Sequence, residues 1–158
     1  MTDITSTPPS FSIARTFLRD VSVEIANVPQ TFLEIPPNPH FNLNIGIDSQ
    51  KLESDNLFLT TLTTSLRATP SQDSNTTLFL IEVKFSGIFE IKGVPPQHID
   101  SLLSVNAPAI LLPHSRAITS LLLQQATLPS FILPEINFAA MLSQAQNQIQ
   151  PANQPTLQ

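Results

Sequence analysis

The 158-residue sequence contains no cysteine, which excludes disulfides, thiolate zinc sites and thiol catalysis. Charged residues are scarce, because they form only 12% of the chain against roughly 25% in an average domain. The net charge is -5 and lysine and arginine form no cluster, whereas affinity for nucleic acid depends mainly on such basic groups. The longest apolar run, "APAILL", is far too short to span a bilayer. Composition therefore argues against a nucleic-acid partner and against membrane insertion.

The sequence also lacks the motifs that mark many catalytic and metal sites. Its three histidines, His40, His98 and His114, lie far apart and share no metal-ligand spacing. There is no Gly-x-Ser-x-Gly nucleophile elbow, and the residues between Gly87 and Gly93 alternate like a strand instead of forming a phosphate loop. We therefore expect a protein that is not an enzyme and that binds neither a metal ion nor a cofactor.

What the sequence does contain is a large apolar fraction, 41% of its residues. A chain of this length can form one domain with a sizeable core. Since few charges are available to solvate the surface, we expect part of it to be buried in an assembly or kept apolar for a ligand. The first residues predict a cytoplasmic protein, because Asp3 lies where a signal peptide would be basic and no apolar segment follows.

Four segments alternate between apolar and polar residues with the period of two that is typical of β-strands. They are "FSIARTFLRDVSVEI", "FNLNIGID", "LFLTTLTTSLRA" and "LFLIEVKFSGIFEI", and the last three are separated by short polar turns. In the first segment the alternation places Phe17 with the other apolar residues and Leu18 opposite them, which indicates a bulge or bend. Four consecutive strands predict one antiparallel sheet.

The connection between the first two strands is unusual for a loop. Its sequence, "ANVPQTFLEIPPNPH", contains four prolines, which argue against regular secondary structure. It also contains the apolar residues Val28, Phe32, Leu33 and Ile35. Either these residues pack back on the core or they present an apolar surface to a partner, and the sequence alone favours neither.

The second half of the chain predicts helices. "NAPAILLPHSRAITSLLLQQ" begins like a helix, with Asn106 as the cap and Pro108 in the first turn, and Pro113 should kink it. Helical spacing predicts one apolar stripe, with two further leucines, Leu112 and Leu123, outside it. The stripe consists of Ile110, Leu111, Ala117, Ile118, Leu121 and Leu122. A helix that is apolar on two sides needs two covers, its own sheet and something else.

A final helix is predicted from Asn137, which serves as its cap, to about Ile149. The sequence thus predicts an α+β domain, in which a four-stranded antiparallel sheet is followed by a long kinked helix and a C-terminal helix. We expect a disordered lead at 1–10, a single domain at 11–149 and a flexible tail at 150–158.

These segments, in this order, resemble the SecB family of protein-export chaperones. The resemblance rests on "FSIARTFLRDVSVEIANVP", "FLIEVKFSGIFEIKG", "NAPAILLPHSRAITSLLL" and "LPSFILPEINFAAML", and it extends from about Phe11 to Ile149. It implies a homotetramer, a dimer of dimers, in which helices lie between two eight-stranded sheets. It also implies an ATP-independent chaperone that binds unfolded precursor proteins, keeps them competent for translocation and delivers them to the SecA motor ATPase.

The resemblance further implies two sets of site residues. The SecA contact of the family is an acidic sheet surface, and the matching positions are Asp20, Glu24, Leu80 and Glu82. The client groove of the family lies among the loop after the first strand, the second strand and the last helix. The matching positions are Val28, Phe32, Leu33, Ile35, Phe41, Leu43, Phe138, Met141 and Leu142, with Leu121 and Leu122 from the long helix.

The residues alone leave other interpretations open. The acidic positions also fit an ordinary solvated sheet face. The second interpretation within the same fold is a SecB-like chaperone dedicated to one partner, such as an antitoxin. A third is a scaffold or small-ligand protein in which the apolar loop is simply core. Binding of a denatured precursor with broad sequence tolerance separates these functions.

Overall fold

The computed structural model describes residues 6–149. Residues 1–5 and 150–158, which are half of the predicted lead and all of the predicted tail, lie outside the described residues. The strands are β1 (Ser10–Ile25), β2 (His40–Lys51), β3 (Leu57–Thr69) and β4 (Phe79–Lys92). The helices are α1 (Gln30–Glu34), α2 (Pro96–Ser101), α3 (Ala107–Gln125) and α4 (Phe138–Ile149), with a π-helical segment at Leu102–Asn106 between α2 and α3.

The four strands form one antiparallel sheet in the order β1-β4-β3-β2, which confirms the predicted fold class. Strands β2, β3 and β4 follow one another as hairpins, whereas the chain crosses from one edge of the sheet to the other between β1 and β2. The face that packs against α3 is called the helix face below, and the opposite one the outer face. Strands β1 and β2 are the two edges of the sheet.

Two bulges in β1 change which of its side chains point toward the helix face. The register between β1 and β4 shifts at two points, on either side of the central part of the strand. As a result Leu18 pairs with the core residue Phe85, while Phe17 pairs with Ser86 and points to the outer face. The predicted irregularity is confirmed, but the predicted position of Phe17 is wrong, because one inserted residue reverses the alternation.

The long helix does not begin at Asn106, the cap that the sequence predicts, but continues from the turns before it. Helix α2, the π-helical segment and α3 follow one another without a break over 96–125. Asn106 therefore lies inside the helix, in helical conformation and without a side-chain capping bond. The wider π-turn comes just before Pro108, whose ring would meet the carbonyl of Ser104 in a regular α-helix. Helix α3 also continues through Pro113.

Helix α3 packs on the sheet through a stripe that overlaps the predicted one only in part. Its buried residues are Ala107, Pro108, Leu111, Leu112, Ser115, Thr119 and Leu123. Of the other predicted stripe residues, Ile110, Ile118 and Leu122 pack against the core clusters, whereas Ala117 and Leu121 are exposed. The predicted stripe is rotated from the buried side because two central positions of that side, Ser115 and Thr119, carry hydroxyls.

The core lies between α3 and the helix face and is centred on β4, where Phe79, Ile81 and Phe89 are fully buried. Gly87 of the same strand lies directly under α3. A Cβ atom at this position would be 2.7 Å from the ring of Phe89 and 3.1 Å from Leu111 Cδ2. The absence of a side chain therefore allows the close approach that fixes α3 on the sheet.

Helix α3 ends in a Schellman motif that turns the chain toward α4. The N–H of Leu128 donates to the carbonyl of Leu123 at 3.0 Å, and the N–H of Thr127 donates to the carbonyl of Gln124 at 3.1 Å. Thr127 occupies the left-handed position of this motif, with φ 54°. Glycine is the usual residue there, and a β-branched side chain is strained.

We expect Thr127→Gly to raise the free energy of unfolding by about 1 kcal/mol, because relief of strain outweighs the added freedom of the unfolded chain. A thermal melt followed by circular dichroism should then shift upward by roughly 2 to 4 °C. The control is Ala126→Gly, since the neighbouring residue has φ −84°, which any residue adopts. A rise of the same size in both variants would show that Thr127 is not strained.

Candidate binding surfaces

Within residues 6–149, no helix is long and apolar enough to cross a membrane. The same residues contain no group of three or more histidine, aspartate or glutamate side chains that could share a metal ion. Their prominent surface feature is apolar: ten large hydrophobic side chains are exposed. These are Ile13, Leu18, Val21, Val23, Val28, Phe32, Leu33, Leu121, Ile132 and Ile149.

The connection between β1 and β2 contains a short helix, so the prediction of irregular structure is wrong there. Helix α1 follows immediately on Pro29, and its first turn is fixed by Thr31. Thr31 is buried, and its hydroxyl donates to the carbonyl of Ala26, while its N–H donates to the carbonyl of Asn27 at 3.1 Å. Prolines therefore border a helical turn here instead of excluding one, and the turn determines which side chains face solvent.

Three of the four apolar side chains in this connection are displayed on the surface. Phe32 and Leu33 are 39% and 74% exposed, and Val28 is exposed as well. Ile35 instead packs against the core cluster that also contacts Phe41. Packing on the core, one of the two alternatives left open by the sequence, therefore holds for Ile35, while the other three side chains are exposed.

One apolar cleft lies where α4 meets β2. Asn137 caps α4 as predicted, because its Oδ1 accepts the N–H of Ala140 at 3.0 Å. The cleft has a volume of about 290 Å³ and is lined by Ile47, Ser49, Ser104, Phe138, Met141, Leu142 and Ala145. Phe138 is a core residue with 3% exposure, whereas Met141 and Leu142 are half-buried and form the accessible wall.

A second apolar cleft lies at the C-terminal end of α3. It has a volume of about 440 Å³ and is lined by Ser120, Leu123, Gln124, Leu128, Ser130, Phe131 and Ile132. Of the two α3 residues predicted as client contacts, Leu122 packs against the core and Leu121 is exposed without lining this cleft.

Two residues of this second cleft, Phe131 and Ile132, were missed by the sequence analysis. They lie between Pro129 and Pro134 in the connection from α3 to α4. Apolar residues between prolines are also the feature of the connection that contains α1. The same pattern, applied consistently along the chain, would have found both segments.

Strand β2 lies between the two clefts. Its helix-face side chains, Phe41, Leu43, Ile45 and Ile47, are all half-buried. The Phe41 ring packs against the Phe131 ring with 4.8 Å between centroids, and Ile47 lines the α4 cleft. Six residue steps of a strand span about 20 Å. This row of apolar side chains thus has the α3 cleft at its Phe41 end and the α4 cleft at its Ile47 end, and we call the row and the two clefts together the β2 groove.

The four predicted SecA-contact residues lie together on the outer face, on the opposite side of the sheet from the β2 groove. Strand pairing places Glu24 opposite Leu80 and Ser22 opposite Glu82. Asp20 itself is opposite Lys84. The fold thus brings residues from β1 and β4 into one patch, which we call the acidic patch.

Basic residues border the acidic patch. Lys84 Nζ is 3.9 Å from Glu82 Oε1, with both side chains more than a third exposed, and such ion pairs contribute little to stability. Glu82 also accepts a hydrogen bond from the Ser65 hydroxyl at 3.1 Å. Arg67 lies opposite Leu80 on β3. Arg19 lines a cleft together with Asp20 and Lys84, so basic side chains are interspersed with the three carboxylates of the patch.

A third apolar surface is formed by β1 and the outward side of α3. The exposed side chains of β1 on the helix face are Ile13, Leu18, Val21 and Val23. Those of α3 recur every four residues as Ala109, Pro113, Ala117 and Leu121. Because β1 is a 16-residue edge strand, this surface adjoins a long row of unpaired backbone groups.

Comparison with known proteins places the fold. A family model described as "Preprotein translocase subunit SecB" matches residues 5–149. The chain is 36% identical to Protein-export protein SecB of Chromobacterium violaceum over 140 residues, which are 89% of this chain and 90% of that protein. It is 38% identical to Protein-export protein SecB of Neisseria meningitidis serogroup A over 138 residues, 87% of this chain and 91% of that protein.

Among solved structures, the fold is similar to that of the Mycobacterium tuberculosis Rv1957 SecB-like chaperone, in complex with a peptide from the Rv1956 HigA1 antitoxin. The TM-score is 0.63 at 12% identity, covering 80% of this chain and 90% of that one. Fold and sequence matches together define a chaperone of the SecB type. The chain belongs to the SecB family, and the resemblance found in its sequence is confirmed.

Proposed function

We propose that this SecB-family protein is an ATP-independent holdase that works in the cytoplasm and catalyses no reaction. It binds unfolded precursor proteins, keeps them competent for translocation and delivers them to the SecA motor. The observation that carries the proposal is the β2 groove, an apolar row of about 20 Å with a cleft at each end. The name of the relatives, protein-export protein, supports the same function.

The β2 groove suits an extended client segment of about six residues. Alternate side chains of such a segment point toward the groove and the others toward solvent, so recognition needs apolar residues but no defined sequence. Each Å² of apolar surface removed from water contributes about 25 cal/mol. Folded proteins bury these side chains, which restricts binding to unfolded chains.

Client contact is assigned to side chains that are at least partly open to solvent. They are Val28, Phe32, Leu33, Ile35, Phe41, Leu43, Leu122, Phe131, Ile132, Met141 and Leu142. Phe138 is buried in the core and supports this surface from below. Leu121 belongs to the third apolar surface, on the outward side of α3.

SecA contact is assigned to the acidic patch, Asp20, Glu24, Leu80 and Glu82. Because this patch and the β2 groove lie on opposite faces of the sheet, one subunit can hold a client and SecA at the same time. The client therefore does not have to leave the groove before SecA binds.

The third apolar surface is assigned to assembly into a tetramer, a dimer of dimers. In such an assembly, this surface of one subunit packs against another subunit, which supplies the second cover that the apolar helix requires. Light scattering at micromolar concentration should give about four times the chain mass of 17.3 kDa. A stable monomer would contradict this assignment.

The holdase function is tested by refolding. A slow-folding secretory precursor is diluted from denaturant with and without the protein, in the absence of ATP, and folding is followed by recovery of its native signal. We expect arrest at a stoichiometric ratio of tetramer to precursor, and no effect when the precursor is folded before mixing. Arrest of many unrelated precursors favours general export, arrest of one favours a dedicated chaperone, and arrest of none rejects the holdase.

A further inference from the structure

The connection between α3 and α4 forms one wall of the α3 cleft but has little backbone support of its own. Pro129 and Pro134 have no N–H group to donate. Within the described residues, no hydrogen bond between backbone groups involves 129–136. A segment of this kind must take its shape from side-chain contacts.

Arg116 of α3 supplies such contacts. Its Nε donates to the carbonyl of Leu133 at 2.7 Å, and its Nη2 donates to the carbonyl of Pro134 at 3.4 Å. Nη2 also lies 3.1 Å from Glu135 Oε1, but that carboxylate side chain is 91% exposed, and exposed ion pairs contribute little. The planar guanidinium is a rigid fork, so it fixes two successive carbonyl groups relative to α3.

These bonds bear directly on the cleft. Leu133 precedes a proline, which favours an extended backbone, and in extended chain successive side chains point to opposite sides. Leu133 is buried, while the preceding residue, Ile132, is 73% exposed and lines the cleft with Phe131. Anchoring the carbonyl of Leu133 therefore sets the direction in which Ile132 projects.

We propose that Arg116 is a positioning residue for the client groove: it holds 131–134 so that Phe131 and Ile132 stay displayed as a wall of the α3 cleft. This inference rests on the proposed function of the groove. Without the guanidinium, the segment samples many backbone conformations, and each binding event must order it again. The affinity for client falls even though Arg116 does not touch the client.

The test compares Arg116→Gln, Arg116→Lys and Glu135→Gln in the full chain, well below the melting temperature of the least stable variant. Backbone NMR order parameters report on the mobility of 130–133. Fluorescence anisotropy measures the Kd for a labelled polypeptide that reduction and carboxymethylation keep permanently unfolded. For Arg116→Gln we expect the order parameters to fall from about 0.85, typical of a rigid backbone, to below about 0.6, and the Kd to rise about tenfold through faster dissociation. Arg116→Lys keeps one hydrogen bond and should be intermediate, and Glu135→Gln should match the wild type.

Unchanged order parameters in Arg116→Gln would overturn the proposal, since the segment would then be held by something else. Lower order parameters with an unchanged Kd would also overturn it, because the order of the segment would not matter for binding. Failure of the wild-type protein to bind the unfolded polypeptide is a separate result, visible without any variant. It would reject the proposed function itself and, with it, a role for Arg116 in client binding.

Discussion

Phe32→Ala combined with Leu142→Ala is expected to weaken binding of an unfolded precursor by about a hundredfold, while the melting temperature moves little. Phe32 is exposed in α1, in the connection that enters β2 at its Phe41 end, and Leu142 lines the α4 cleft at its Ile47 end. The two substitutions therefore test two separate parts of the proposed client surface. Burial of each side chain by a client contributes about 1.5 to 3 kcal/mol, which together corresponds to a hundredfold or more in Kd.

The free protein leaves both side chains partly in water, so their removal takes little from its own stability. The control is Phe138→Ala in the same helix, because Phe138 is fully integrated in the core with Leu62 and Leu111. We expect this variant to lose about 3 to 5 kcal/mol of unfolding free energy. Calorimetric melting and binding of the same precursor are measured on both variants. A large drop in melting temperature for the double variant, with unaltered binding by the folded fraction, would show that Phe32 and Leu142 are core residues and not client contacts.

The strands were predictable from the sequence because their alternation is strong, but the neighbour of β1 was not. β1 pairs with β4, the strand farthest from it in sequence, and local patterns carry no information on such distant pairing. The bulges in β1 show a second limit. Alternation marks an irregularity near Phe17 and Leu18, but the reversal of faces follows only from the register with β4.

The side of a helix that faces a sheet is predictable when the buried positions are all apolar. In α3 they include Ser115 and Thr119, while the outward side carries Leu121, and so the predicted apolar stripe is rotated from the buried side. The proposed assembly would explain why the outward side is apolar as well. The sequence predicts that a second cover is needed, but not which residues of the helix it would cover.

Asp20→Lys combined with Glu82→Lys is expected to weaken SecA binding by more than tenfold and to leave client binding unchanged. Both carboxylates lie in the acidic patch on the outer face, away from the β2 groove. If a basic segment of SecA docks there, reversing two charges replaces attraction by repulsion. The interaction of the wild-type protein should also weaken as salt is added, because exposed charges are screened over about 10 Å at 0.1 M ionic strength.

Calorimetric titration of SecA separates a specific patch from a general effect of net charge. Glu53→Lys combined with Glu90→Lys changes the net charge by the same amount, but Glu53 lies in the turn after β2 and Glu90 near the far end of β4. This control should bind SecA like the wild type. Lys84→Glu removes the basic group beside Glu82 and should strengthen binding. If both double variants weaken binding equally, the attraction comes from net charge, and the outer face of β1 and β4 is an ordinary solvated surface.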